Sequence, residues 1–465
     1  MKKLGLGIMF LSFLARGQFY PLLDDWSNNF LSMQTSPYVM PARKFVVSFP
    51  GAGNSSVFWR NPSVNLYALF GPESDFNKNL RTILEQTDPH EGIFGDVRQE
   101  WLHAGFFAGN HFIHFGADTE WQFWLFHPVS VYRALLDGIN IDTPPVKLKE
   151  IHLQVQALTR FSVGIAKSPS PRFAWGLTLH LYSSGLYVSS LHDGGAIFVE
   201  RQEPGYTVYL QNIRLQLHSA GIRSLYEEEH VGTPDVDPEG VQYRLMRNLA
   251  GGKNVGLGFD YGFSTEFSPG WQFHASLLDL GFVYYYDDTY NYLLRGSYIY
   301  KGLEVDFDDT KDYWKNLADD FSKHVYKKEN TGGFLTATDF KFYTGLKKVF
   351  GRNPVARERI PCPGEKARQE DMPGETSMGI IAFYNHLKGK AYAGVSAYGQ
   401  VHLFRMADVR VTYGYETFLR HKVGVALLLR AGPWHIYAGA YNPLDFKDLS
   451  KTQGFSMRVG TYFAF

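Results

Sequence analysis

The sequence predicts an all-β protein, a transmembrane antiparallel β-barrel of about 14 strands (roughly 12 to 16) with short helical loop segments. Three observations carry that reading: a leader-like start, period-two runs longer than soluble strands need, and a chain end, "RVGTYFAF", that reads as a strand instead of a polar tail.

Met1-Lys2-Lys3 is followed by the apolar run Leu4 to Ala15 and then by Arg16-Gly17-Gln18. A basic start, a short apolar stretch and small residues before a cut are the marks of a secretory signal peptide. Residues 1–17 are therefore expected to be removed, leaving Gln18 first. The run is too short to span a bilayer as a helix, and no Cys follows it to take a lipid anchor. Residues 18–42 carry Phe19, Tyr20, Leu22, Leu23, Trp26, Phe30 and Leu31 ahead of the first strand pattern. They are expected to form an N-terminal segment that plugs a lumen, with residues 43–465 as the barrel.

The strand evidence is clearest in Ala407 to Thr417. Ala407, Val409, Val411, Tyr413 and Tyr415 share one parity, against Asp408, Arg410, Thr412, Gly414 and Glu416 on the other. Successive strand residues face opposite sides, so one face is apolar and the other charged. A soluble sandwich gives the same alternation, and length separates the two. Ile151, Leu153, Val155, Ala157, Phe161, Val163 and Ile165 alternate with polar or small residues over about fifteen positions, beyond the usual five or six and enough to cross a bilayer. Phe173 to Leu181, Val255 to Phe263, Val423 to Leu429 and Phe455 to Phe465 repeat the pattern.

Pro/Gly stretches at Ser168 to Arg172, Ser268 to Gly270 and Ala431 to Pro433 read as tight turns. Residues 219–251, 306–333 and 351–375 read as long polar loops, and short turns opposite long loops suit an outer-membrane barrel. Helical spacing is seen in His127 to Gly138 and in Asp312 to Lys328, the latter with Trp314, Leu317, Phe321 and Val325 on one stripe.

Charge excludes one class of partner. Lys plus Arg and Asp plus Glu both number 46, so the chain lacks a basic footprint for nucleic acid. The single cysteine, Cys362, has no partner for an intramolecular disulfide and lies in a turn-rich polar stretch. His111 and His114 sit three apart on a strand and so face opposite sides, unsuited to chelation. Asp235-x-Asp237-x-Glu239-Gly240 begins like a calcium loop, but Met246 stands where a bidentate Glu is required. No G-x-S-x-G elbow occurs, and His180 and Ser184 are spaced roughly 13 Å apart along one strand face. Catalytic residues, metal ligands and cofactors are therefore expected to be absent, and the protein is expected not to be an enzyme.

The inward parity carries Arg160, Asp260, Asp408, Arg410, Glu416, Arg430 and Arg458. These charges either pair across neighbouring strands or line a polar path for a ligand.

The end of the chain resembles the C-terminal sorting signal of outer-membrane barrels: Arg458 and Gly460, then Phe463 and Phe465 on the outward parity. "SPYVMPARKFVVSFPG" (Ser36 to Gly51), "WQFHASLLDLGFVYYYDD" (Trp271 to Asp288) and "GPWHIYAGAYNPLDF" (Gly432 to Phe446) resemble a Bacteroidota outer-membrane β-barrel family of unassigned function, similar in architecture to PorV and FadL-type barrels. The resemblance runs from about residue 20 to the end, with "SLLDLGFV" its most specific part. At "SPYVMP" the chain departs from the Asn-Pro expected at that point. The resemblance implies residence in the Gram-negative outer membrane after leader cleavage, contact with outer-membrane lipid, and delivery by the assembly machinery through the last strand. It further implies FadL-like passage of small hydrophobic or amphipathic molecules. The alternative is a non-transporting scaffold that binds a secretion or envelope-assembly partner, with Tyr284 to Leu294 as a tyrosine-rich surface.

Overall fold

The structure is a computed structural model. It describes residues 20–61, 78–79, 81–82, 92–126, 138–139, 141–142, 145–148, 151–202, 205–222, 238–250, 252–300, 320–350, 375–387, 390–404, 406–416, 421–443, 452 and 454–465. The leader, most of the His127 to Gly138 stretch, the acidic run before residue 238 and Cys362 lie outside these.

In chain order the strands are β1 (Phe45–Ser48), β2 (Asn54–Arg60), β3 (Gly92–Ala108), β4 (His111–Phe126), β5 (Val146–Lys147), β6 (His152–Ser170), β7 (Phe173–Gln202) and β8 (Gly205–Ala220). After helix α1 (Pro238–Ala250) come β9 (Val255–Ser268), β10 (Trp271–Tyr285), β11 (Thr289–Tyr300), β12 (Val325–Asn330), β13 (Phe334–Ala337) and β14 (Lys341–Phe350). The remainder are β15 (Thr376–Leu387), β16 (Lys390–Leu403), β17 (Ala407–Glu416), β18 (Lys422–Ala431), β19 (Trp434–Tyr441) and β20 (Gly454–Ala464).

Antiparallel pairing closes these into a barrel of 14 staves. β1 and β2 share one stave between β3 and β20. The ring then runs β3, β4, β6, β7, β9, β10, β14 and on through β20. At the seam, Phe45 N–H donates to the Phe465 carbonyl (3.2 Å) and Phe465 N–H donates back to the Phe45 carbonyl (2.8 Å). The last residue is thus inside the ladder, and Val46 to Ser48 face Ala464 to Tyr462 in register. Closure leaves no open edge, which a bilayer requires because lipid offers backbone groups no hydrogen bonds.

Which face is buried distinguishes this from a soluble sandwich. Along β17, Val411, Tyr413 and Tyr415 are 48%, 55% and 55% exposed, whereas Asp408, Arg410 and Glu416 are 0–1% exposed. On β6 and β7, Phe161, Val163, Leu179 and Leu181 point out while Arg160 and His180 are buried. Apolar outside and charged inside is the reverse of a protein folded in water, and it matches lipid as the outer solvent. Trp271 and Trp434 each follow a tight turn through Gly270 (φ +71°) and Gly432 (φ +62°) and are exposed. With Phe465 they supply aromatics at the short-turn rim, where amphipathic rings favour a membrane interface.

The upper half of β7 leaves the barrel wall. There it pairs with β8, which pairs with β11, which pairs with β12, forming a ribbon above the β9–β10 hairpin. Two sequence expectations change here. The helix expected through Lys328 ends early: residues 320–324 are helical, and Val325 onward is strand. Pairing of Val325 with Gly296 and of Tyr326 with Arg295 overrides the 3.6-residue stripe, and a β-branched and an aromatic residue both suit a strand. Conversely, the long loop expected over residues 219–251 contains α1, whose Leu249 packs 4% exposed. Glu239 and Gly240 fall in its first turn, which rules out a calcium-loop backbone there.

Candidate functional site

The lumen holds the N-terminal segment. Every residue from Pro21 to Val39 is buried or half-buried. Two short 3-10 helices, Tyr20–Leu22 and Phe30–Gln34, coil it into the available width. Between them Asp25 (φ +47°) and Asn28 (φ +63°) take the left-handed conformation that Asx residues tolerate. The Asn29 side chain caps the second helix by accepting from Leu31 N–H (3.2 Å).

Leu22, Leu23, Trp26, Phe30, Leu31 and Met33 pack in one cluster with the wall residues Phe58, Phe112, Tyr398, Leu428, Tyr437 and Tyr462. Trp26 meets Tyr437 edge-on at 5.7 Å, and Phe30 meets Tyr462 at 5.8 Å and Phe112 at 6.2 Å. The wall is also shaped for the segment. A Cβ on Gly176 of β7 would lie 2.1 Å from the Pro37 carbonyl oxygen, and one on Gly460 of β20 would lie 2.6 Å from Leu31 Cδ1. These glycines let the segment backbone and side chains touch the sheet.

Charged side chains hold the segment at defined points. Arg410 is fully buried; its Nη1 donates to the Asp24 carbonyl (2.6 Å), its Nε and Nη2 donate to Gln400 Oε1 (3.0 and 2.7 Å), and its plane stacks over Trp26 and Tyr398. Lys347 Nζ lies 2.7 Å from Asp25 Oδ2 and 3.0 Å from Glu375 Oε1. His274 Nε2 lies 2.8 Å from Asp24 Oδ2. Asp408 pairs with Arg430 and His402 and accepts from Trp26 Nε1 (3.4 Å). Unpaired, any of these buried charges is strongly destabilising.

The other inward residues form separate layers. Arg160 joins Asp118 (2.9 Å), Glu120 (3.1 Å) and Asp279 (2.5 Å). Asp260 sits beside His180, Glu416 pairs with Lys422, and Arg458 Nη2 donates to Ser56 Oγ (3.3 Å). All seven lumen-facing candidates therefore point inward, on five strands, and the structure brings Asp408, Arg410 and Arg430 together around the segment. Arg458 and Gly460 face in, while Phe463 and Phe465 face out and stack at 6.3 Å.

Sequence reading missed Asp24, Asp25, His274, Lys347 and Glu375, the partners nearest the segment. His274 and Lys347 each sit on the polar parity of an alternating run, so the period-two signal was available for them. Asp24 and Asp25 lie in a segment with no period to read. His180, set aside against Ser184, has its partners on other strands: Ser162 Oγ at 2.8 Å and Asp260 Oδ2 at 2.9 Å.

No curated protein matches the chain in sequence. Among solved structures the barrel outline is similar to the toluene transporter TodX of Pseudomonas putida (TM-score 0.41, 8% identity, 95% of this chain and 94% of that one). It is also similar to a FadL homologue of Pseudomonas aeruginosa (0.44, 7%, 97% and 97%) and to the toluene transporter TbuX of Ralstonia pickettii (0.40, 8%, 95% and 94%). Scores this low describe outline and carry no functional argument. The model of one family covers residues 37–440, most of the barrel just described, and the chain belongs to that family, DUF5723, a family of unknown function.

Proposed function

We propose that this protein is an outer-membrane barrel that passes small hydrophobic or amphipathic molecules, with residues 20–42 as a plug that must shift for passage. The observation that carries the reading is the chemistry of the filled lumen. The wall around the segment is aromatic and aliphatic, and what it accommodates is an amphipathic ligand in kind: Leu22, Trp26, Phe30 and Met33 flanked by Asp24 and Asp25. If the segment moves aside, the wall offers a small molecule apolar surface with anchoring charges at Arg410 and Lys347, a combination that binding sites favour. The segment is part of the chain and competes for its own binding surface.

A scaffold reading has one observation in its favour. Tyr206, Tyr284, Tyr286 and Tyr326 are 46–61% exposed around the ribbon above the barrel, and tyrosine is enriched at protein interfaces. Native mass spectrometry of protein extracted from its own membrane in mild detergent separates the two. A monomer carrying a lipid or small apolar ligand is expected. Recovery free of ligand and bound to a stoichiometric protein partner would replace passage with the scaffold.

A further inference from the structure

We propose a divalent-cation site on the inner wall, formed by His180 of β7, Asp260 of β9 and Asp279 of β10. Their ligand atoms all lie within 4.8 Å of one another, and the residues are 5%, 7% and 7% exposed. Metal bonds of about 2.0–2.2 Å set the ligand atoms of a tetrahedral shell about 3.4 Å apart, so the widest pair draws in by about an ångström when an ion binds.

The backbone is deformed to build this cluster. On β10, Gln272, His274 and Ser276 face inward, so a regular strand would turn Asp279 toward lipid. A register shift between Leu277 and Leu280 instead inserts an extra residue, and Asp279 adopts φ +56°, which places its carboxylate inside beside Leu278. Bulges re-aim side chains next to functional sites, and a non-glycine residue held at positive φ points the same way.

The ligands are also held for the task. Asp260 Oδ1 accepts the Asp279 backbone N–H (2.6 Å), which pins the bulge and leaves Oδ2 toward His180. His180 Nδ1 is fixed by Ser162 Oγ at 2.8 Å. Its Nε2 is turned toward the carboxylates, 2.9 Å from Asp260 Oδ2. An imidazole oriented through one nitrogen, with the other directed at carboxylates, is the usual outer-shell arrangement of a metal histidine.

The layer is ionic: the carboxylates of Asp118, Glu120 and Asp279 meet the cations of Arg98, Arg160 and Lys341, and Asp260 faces His180. Asp279 also receives Arg160 and Lys341 (3.0 Å) and so acts as the shared ligand. A polar cavity of about 20 Å³ beside it, lined in part by Tyr182, has room for one water to complete the shell. One imidazole with carboxylates suits zinc or a neighbouring first-row ion better than calcium or magnesium.

The test titrates ZnCl2 into the full chain in detergent after EDTA stripping, by calorimetry with metal analysis, checking folding by heat-modifiable gel mobility. One zinc per chain is expected, weakened more than about 100-fold in Asp260→Asn and in His180→Gln. Ser162→Ala, which removes no ligand and no charge, is expected to lose about 10- to 100-fold, the range for outer-shell partners, and keeps the test usable if Asp260→Asn fails to fold. Absence of stoichiometric zinc, or affinity unchanged in folded Asp260→Asn or in Ser162→Ala, would overturn the proposal and leave an ion-pair network alone.

Discussion

Trp26 gives the sharpest handle on the segment, because it belongs to the segment itself and its replacement leaves every wall residue in place. It is 0% exposed and, among the described residues, the largest fully buried side chain. It packs edge-on against Tyr437, lies 4.7 Å beneath the Arg410 guanidinium and donates to Asp408. Truncating a buried Trp to Ala costs about 3–5 kcal/mol. At about 1.4 kcal/mol per tenfold, Trp26→Ala should raise the population of the displaced segment by about a hundredfold to a few thousandfold. Hydrogen exchange read by mass spectrometry measures this directly, since local opening sets the exchange of buried amides. Amides from Leu22 to Val39 are expected to lose protection by that factor, while those of β17 and β20 keep theirs. A double-mutant cycle with Arg410→Met should return a coupling of about 0.5–2 kcal/mol for the cation over the ring. Unchanged protection of the segment in Trp26→Ala would refute the view that this side chain anchors it.

Three further outcomes follow from the geometry. Gly176→Ala places a Cβ 2.1 Å from the Pro37 carbonyl oxygen and should expel the segment without changing any charge, whereas Gly399→Ala, which meets nothing within 4 Å, should not; limited proteolysis of residues 20–42 reads the difference. Lys347→Met leaves Asp25 and Glu375 without their shared ammonium and should destabilise by about 3–5 kcal/mol in thermal unfolding, with Asp25→Asn in the same chain restoring part of it. Val411→Arg puts a charge on the lipid face midway along β17 and should cost about 2–4 kcal/mol in urea unfolding from vesicles, whereas Arg on the outward rim at Phe465 should cost about 0–1 kcal/mol.

The barrel was legible because its signal is local. In β17 each apolar residue marks an outward position and each polar one an inward position, and the structure follows that alternation through all ten residues. The tight turns at Gly270 and Gly432 were legible for the same reason, since a residue at positive φ announces itself. What the sequence hid depends on distant pairing. Asp279 reads as lipid-facing until a bulge turns it, and the bulge is held by Asp260 nineteen residues earlier. Val325 fits a helical stripe until β11 supplies a strand partner. The apolar residues of the segment were visible, but their binding to Arg410, His274 and Lys347 spans hundreds of residues and leaves no periodic trace. Sequence period thus identified the wall, and three-dimensional pairing identified what fills it.

The central claim is that molecules cross where the segment now sits. Uptake of a fluorescent fatty acid and of small alkyl-aromatic solutes into proteoliposomes tests it most directly, with native chain, Trp26→Ala, Gly176→Ala and protein-free vesicles side by side. Entry faster than in protein-free vesicles, and faster again in both variants, is the expected result. Equal entry in all four preparations, with the barrel shown to be folded, would contradict passage through this lumen.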